Sequence, residues 1–236
     1  MKLDNRPDVL ILAGGLGMRL REVVNDRPKP LAAIRGRPFV ALLFEQLVRF
    51  DYRRAILCVG YRGEQVQAEF GGRQGALALE YSFEAQPLGT GGALRNAADL
   101  VRTSEVLVMN GDSFCEIDLA AFLNAHRSFG GEGTIAVLHR EDRSRSGAVE
   151  IDDGGRVTSF AGRPDVPNAG LINAGVYLLR RELLLTIPSG RAVSLENEIF
   201  PEVAARRGLF GWRVGPRFID IGTPDDYRAA QKFFSD

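Results

Sequence analysis

The sequence predicts a doubly wound α/β domain, and three observations carry that prediction. Short apolar runs bounded by turn residues recur at "DVLILA", "RAILCVG", "LALEYSF", "EVLVMNGD" and "GTIAVL". Between them lie stretches of helical period, such as Val40, Leu43, Phe44, Leu47 and Val48 at i, i+3, i+4, i+7 and i+8. The length, 236 residues, suits one sizeable core. Strands alternating with helices imply a parallel sheet covered on both faces.

Each element follows in turn. "DVLILA" is a continuous apolar run, as expected of a central strand buried on both faces, and it delivers its chain to a glycine-rich loop. The amphipathic stretch around Val40 is the first covering helix. "EVLVMNGD" repeats the pattern of the first strand and ends on an aspartate. Beyond about residue 145 the rhythm changes: "GAVEI", "RVTSF" and "GLINAGVYLL" read as strands joined by Gly, Asp and Pro turns, with little room for crossover helices. Helices are expected at "SLENEIFPEVAARR" and "TPDDYRAAQKFF". No linker separates the two parts, so residues 1–236 read as a single domain with lobes of about 1–140 and 141–236.

Composition excludes several classes. Thirty basic residues balance 30 acidic ones, which is not a surface built for nucleic acid or an anionic membrane. No apolar run approaches the roughly 20 residues that span a bilayer. "MKLDNRPDVLILAGG" lacks the layout of a secretory signal, so a cytoplasmic location is expected. Cys58 and Cys115 are expected to be reduced thiols. His126 and His139 are the only histidines, so a zinc site is not expected. His126 reads as a partly exposed helix residue, and His139, following a strand, is the better candidate to face a cleft.

The most informative stretch is "ILAGGLGMRLREVVNDRPKP". In open α/β sheets ligands bind beyond the carboxyl ends of the strands. Leu12 and Ala13 would bring Gly14, Gly15 and Gly17 to that edge, where glycines let backbone N–H groups approach a phosphate closely. A tight structural turn is the alternative. A dinucleotide fingerprint is excluded because Leu20 stands where the third glycine should be, and no Gly-Lys-Ser/Thr follows for a Walker loop. The chain has three lysines against 27 arginines, yet a lysine, Lys29, stands between Pro28 and Pro30. The prolines are expected to hold the backbone extended and to reduce the entropy lost in aiming an ammonium at a phosphate oxygen.

"LAGGLGMRL" followed by "RPKP" resembles the signature of sugar-1-phosphate nucleotidylyltransferases, and the resemblance continues in order through "EAQPLGTGGAL", "NGDS", "GLINAGVYLL" and "FIDIGTPDDY". It implies the Rossmann-like mixed sheet of the nucleotidyltransferase fold with a smaller antiparallel sugar-binding lobe. The implied reaction is attack by a sugar-1-phosphate oxygen on the α-phosphorus of a nucleoside triphosphate, with pyrophosphate leaving. Two polyanions must meet, so charge neutralisation and alignment are the main tasks. Arg19 would grip the β- and γ-phosphates, and Lys29 the sugar phosphate or the α-phosphate. Asp112 and Asp220 would hold Mg²⁺, which needs only one or two protein carboxylates besides substrate phosphates. Met18 stands where the family usually has a hydroxyl residue, leaving the backbone contacts.

The resemblance also implies base and sugar contacts. Gly89 and Thr90 belong to the nucleotide loop. Glu84 falls where relatives using uridine or thymidine nucleotides carry a glutamine. A carboxylate only accepts, which matches the two adjacent donors of guanine, so GTP is the expected nucleotide. Asn173, Gly175 and Glu196 match positions that meet sugar hydroxyls. In "SFAGRP", Gly162 and Arg163 replace the family's usual carboxylate and lysine, with Arg163 left as a sugar-phosphate contact. The combination of motifs looks most like the bacterial D-glycero-α-D-manno-heptose-1-phosphate guanylyltransferases, with mannose-1-phosphate enzymes close behind. Three other readings stay open: a sugar-1-phosphate nucleotidylyltransferase using UTP, dTTP or CTP, a sugar-nucleotide-binding protein without catalysis, and a glycosyltransferase, although "NGDS" lacks the last one's Asp-x-Asp. Homo-oligomerisation stays open as well.

Overall fold

A computed structural model describes residues 6–143, 147–161 and 169–234. Its strands are β1 (Asp8–Leu12), β2 (Ala33–Ile34), β3 (Arg37–Pro38), β4 (Arg54–Val59), β5 (Arg73–Gln74), β6 (Leu77–Phe83) and β7 (Glu105–Asn110). They continue with β8 (Ser113–Cys115), β9 (Gly133–Arg140), β10 (Ala148–Ile151), β11 (Val157–Ala161), β12 (Gly170–Arg180), β13 (Leu209–Arg213) and β14 (Phe218–Asp220). The helices are α1 (Phe39–Arg49), α2 (Gly63–Phe70), α3 (Gly89–Ala97), α4 (Leu119–Phe129), α5 (Arg181–Thr186), α6 (Phe200–Ala205) and α7 (Pro224–Phe233).

Strands β6, β4, β1 and β7 lie side by side and parallel. Their registers are flush at the carboxyl end: Leu12 stands beside Cys58 on one side and Asn110 on the other. Successive residues of β1 face opposite layers. Val9 and Ile11 join a core with Leu43 and Leu47 of α1, Val66 of α2 and Phe122 of α4. Leu10 joins a second core with Leu94 of α3, Leu184 of α5 and Phe200 of α6. This is why the apolar run is continuous, and the doubly wound expectation holds.

The second half of the chain enters the same sheet. β12 runs antiparallel to β7 through Val176–Arg180 and antiparallel to β9 along its other edge. β10 and β11 extend it as an antiparallel hairpin. "SLENEIFPEVAARR" is not a uniform helix: a π turn, Leu195–Ile199, precedes α6. Pro201 has no N–H to continue an α ladder there.

Two devices aim the loops beyond the sheet edge. Residues Leu20, Val24, Ala32 and Ile34, which follow the glycine run, pack with Ile221 and Ala230 into a third cluster, so α7 anchors this long loop. β14 pairs with β8 antiparallel, setting Asp220 opposite Ser113, the residue after Asp112. No helix among the described residues is long and apolar enough to cross a membrane.

His126 differs from its expected exposure. It is only 2% exposed, with Nδ1 paired to Thr134 Oγ1 at 2.8 Å, and burial lowers its pKa. α4 turns its His126 face onto β9, and the Thr134 hydroxyl satisfies the ring. His139 is solvent-facing, its side chain 56% exposed beside Glu141, 3.8 Å away. Both cysteines are buried free thiols.

Candidate active site

At the carboxyl edge of β1, β6 and β7 lies a cavity of about 270 Å³. Leu12, Ala13, Gly14 and Gly15 form one wall. Lys29, Glu84, Gly89, Thr90 and Asp112 also line it, so nine of the expected nucleotide and catalytic positions converge on one space, whereas Gly17 and Arg19 lie outside its lining. The strand ends are laced together by Ala13 N–H donating to Cys58 O at 2.8 Å and Gly111 N–H donating to Leu12 O at 2.9 Å.

Lys29 Nζ lies 2.5 Å from Asp112 Oδ2, and its side chain is 12% exposed. The local backbone is tighter than the extended path expected of a proline-framed residue. Pro28 is extended, but Lys29–Leu31 form a 3₁₀ turn closed by Leu31 N–H to Pro28 O and Ala32 N–H to Lys29 O. Pro30 fits because its missing N–H falls at the start of the turn, where no partner is needed. Gly17, with φ +60, lies along the Lys29 stem: a Cβ there would be 3.5 Å from Lys29 Cβ.

Asp220 comes from the far end of the chain. One carboxylate oxygen accepts the Gly222 N–H at 2.7 Å, and Ile221 N–H donates to Asp112 O at 2.9 Å. Burial pushes the Asp220 carboxyl up, the Gly222 N–H draws it back, and the charges of Asp226 and Asp112 add to the rise. Among the described residues no cluster of three or more metal-ligating side chains exists. Two carboxylates, one of them desolvated and repelled by its neighbours, form a hard oxygen donor set whose ionised form a divalent cation would favour. Arg19 faces the same corner, since a Cβ on Gly222 would lie 2.8 Å from Asp220 Oδ1 and 3.5 Å from the Arg19 guanidinium. Met18 is 64% exposed and lines no part of the cavity.

Glu84 projects from the end of β6. Its Oε2 accepts the Leu88 N–H at 3.0 Å, and its Oε1 would lie 2.9 Å from a Cβ on Gly14. Any side chain at position 14 would therefore displace the carboxylate. Burial raises the Glu84 carboxyl and the Leu88 N–H partly offsets the rise.

Asn173, Gly175 and Glu196 do not line the cavity itself; hydrogen bonds link Asn173 and Glu196 to it. Thr90 Oγ1 donates to Glu196 Oε2 at 2.7 Å and accepts the Leu195 N–H at 2.8 Å. Tyr177 OH donates toward Glu196 Oε1 at 3.4 Å and accepts from Asn173 Nδ2 at 2.9 Å, while Asn173 Oδ1 accepts the Gly175 N–H at 2.9 Å. Burial pushes the Tyr177 phenol well above its usual range, which keeps the proton it donates. Sequence reasoning missed Tyr177 and also Asn110, which lines the cavity and whose Oδ1 is buried with no hydrogen-bond partner among the described residues. Their signals were present in "NGDS", where an asparagine ends the strand, and in the four-residue step from Asn173 to Tyr177. Arg163 and Gly162 lie outside the described residues.

The α3 entrance also depends on Gly89. Its φ is +70°, and a Cβ there would lie 2.6 Å from Val193 O, a backbone atom held by Gly91 N–H at 2.8 Å. Gly89→Ala is expected to lose about 1–3 kcal/mol of stability, read by urea denaturation, because strain and clash act together.

Comparison with known proteins supplies the family. The nucleotidyl transferase family profile matches residues 8–236. A D-glycero-alpha-D-manno-heptose 1-phosphate guanylyltransferase from Aneurinibacillus thermoaerophilus is 35% identical over 225 residues, 95% of this chain and 97% of that protein. A mannose-1-phosphate guanylyltransferase from Mycobacterium tuberculosis is 35% identical over 223 residues, 93% of this chain but 62% of that protein's length. The crystal structure of HddC from Yersinia pseudotuberculosis matches with a TM-score of 0.85 at 32% identity, covering 97% of this chain and 100% of that one. HddC is also known in complex with GMP-PN, with a TM-score of 0.84 to this chain. A profile match from the first strand to the last residue, with relatives of this identity and coverage, shows that the chain belongs to the nucleotidyl transferase family of enzymes.

Proposed function

We propose that the protein transfers GMP from GTP to a sugar 1-phosphate, with D-glycero-α-D-manno-heptose 1-phosphate as the sugar, releasing pyrophosphate and a GDP-sugar. The observation that carries this reading is the convergence of the glycine loop, Lys29, Glu84 and Asp112 on one cavity at the sheet edge. The relatives named as heptose- and mannose-1-phosphate guanylyltransferases support the reaction class, and mannose 1-phosphate is the second candidate because the identities are equal. In a single domain, residues 1–140 would hold the nucleotide and residues 141–236 the sugar. The GDP-sugar, an activated glycosyl donor, would serve surface-polysaccharide assembly.

The backbone N–H groups around Gly14, Gly15 and Gly17 would donate to phosphate oxygens without side chains in the way. Asp112 keeps the Lys29 ammonium at the cavity before any anion arrives. On binding, Lys29 would neutralise the α-phosphate or the sugar phosphate, and Arg19 the departing phosphates. Mg²⁺ on Asp112 and Asp220 would supply the remaining neutralisation of phosphate charge. No side chain needs to exchange a proton, because the attacking phosphate oxygen is already anionic. Asn173, Gly175 and Glu196, held together through Tyr177, would present the sugar-binding edge.

Glu84 would read guanine as an ionised acceptor. Glu84→Gln is expected to reduce the preference for GTP over UTP about tenfold or more, measured as the ratio of kcat/KM values. The pH dependence has a definite sign. Guanine binds the carboxylate form, so KM for GTP is flat above the raised Glu84 pKa and increases as pH falls through it. The Glu84→Gln enzyme should lack that acid limb.

Pyrophosphate release tests the reading as a whole, with GTP, ATP, UTP and CTP each offered heptose, mannose and glucose 1-phosphates. Release with GTP and the heptose or mannose ester is expected. Tight nucleotide binding without release under any combination would favour the non-catalytic alternative.

A further inference from the structure

The turn between β4 and α2 lies directly against the glycine loop. A Cβ on Gly60 would stand 3.0 Å from Gly14 O, and one on Gly14 would stand 3.1 Å from Gly60 N, so the two backbones touch. Tyr61 N–H points at Gly14 O over 3.4 Å. The Tyr61 ring then carries two guanidiniums, with Arg21 Cζ at 4.3 Å from its centroid and Arg62 Cζ at 5.2 Å.

Each guanidinium has its second contact on the loop that bears the phosphate-binding residues. Arg21 Nε donates to Leu16 O at 3.1 Å, and Arg62 Nη1 donates to Asn25 O at 3.0 Å. The grips thus lie just before Arg19 and just before Pro28 and Lys29. Two cations on one ring repel each other, and the electron-rich ring face offsets that cost. Arg62 is also held at φ 54, a left-handed conformation that a non-glycine residue adopts only when its surroundings impose it. That backbone choice sends the Arg62 side chain back across Tyr61 to Asn25.

We infer that Tyr61 is a positioning residue: with Arg21 and Arg62 it clasps the loop of residues 13–28 in the shape that sets Lys29 at the cavity and Arg19 at the Asp220 corner. Tyr61 touches no reacting atom and acts through the loop. Its consequence for GTP rests on the function proposed above, whereas the clasp itself does not.

The test compares Tyr61→Leu with Tyr61→Phe in the intact protein by hydrogen exchange and by pyrophosphate release. In the leucine variant, amides of residues 13–28 should exchange about tenfold faster, while those of β4 and α1 stay unchanged. KM for GTP should rise and kcat should fall, with kcat/KM lower by about tenfold or more, and phenylalanine, which keeps the ring, should restore both. Wild-type exchange in Tyr61→Leu, a uniform rise over the whole sheet, or a phenylalanine variant as loose as leucine would overturn the clasp. A protein that showed the loop-specific exchange pattern but no turnover would uphold the clasp and refute the proposed reaction instead.

Discussion

Asp112→Ala is expected to lower kcat for pyrophosphate release by about 10³-fold while the protein stays folded. The loss would combine two effects. It removes one of the two carboxylates fit to hold a divalent ion, and it releases Lys29 from its 2.5 Å contact. The Asp112 side chain is 42% exposed but Lys29 only 12%, so the alanine variant leaves a largely buried ammonium without its partner, at a cost of about 1–3 kcal/mol. Urea denaturation should therefore show a somewhat lowered midpoint with one cooperative transition. Asp112→Asn, which keeps shape but not charge, should be nearly as inactive. An asparagine variant within about tenfold of wild type would mean that the carboxylate charge is not what the reaction uses.

Lys29→Met should rank next, with kcat/KM reduced about 10²- to 10³-fold. Methionine retains length and apolar contact with Gly17 but removes the charge. Arginine should not rescue it. The 3₁₀ turn of Lys29–Leu31 aims a compact ammonium, and a planar fork on the same stem would have to fit a space shaped by Gly17 and Asp112. Steady-state kinetics varying each substrate in turn would show whether the loss falls on the nucleotide, on the sugar phosphate or on both. A variant at this position with wild-type kcat/KM would remove Lys29 from the chemistry.

The sheet was legible because its information is local. Uninterrupted apolar runs such as "DVLILA" have one stable use, a central strand facing two cores, and the period of α1 marks its single buried face. The glycine loop, Lys29 and Asp112 were legible for a related reason: unusual residue types stand immediately after strands or between prolines. What was not legible depends on distant partners. Thr90 and Glu196 are 106 positions apart and share a hydrogen bond that no pattern announces. His126 looked exposed because its helix is amphipathic with polar neighbours, yet Thr134 on β9 completes it inside the core. The π turn before α6 and the left-handed Arg62 are likewise set by packing, not by local preference.

The most direct measurement is a crystal structure of the protein with a non-hydrolysable GTP analogue and Mg²⁺. The triphosphate is expected against residues 13–17, with the guanine edge within hydrogen-bond distance of Glu84, Lys29 and Arg19 on phosphate oxygens, and the ion bound by Asp112 and Asp220. A nucleotide seated elsewhere on the molecule, or one in the cavity that leaves Lys29 and both carboxylates without ligand contacts, would contradict the assignment of this sheet edge as the site of nucleotidyl transfer.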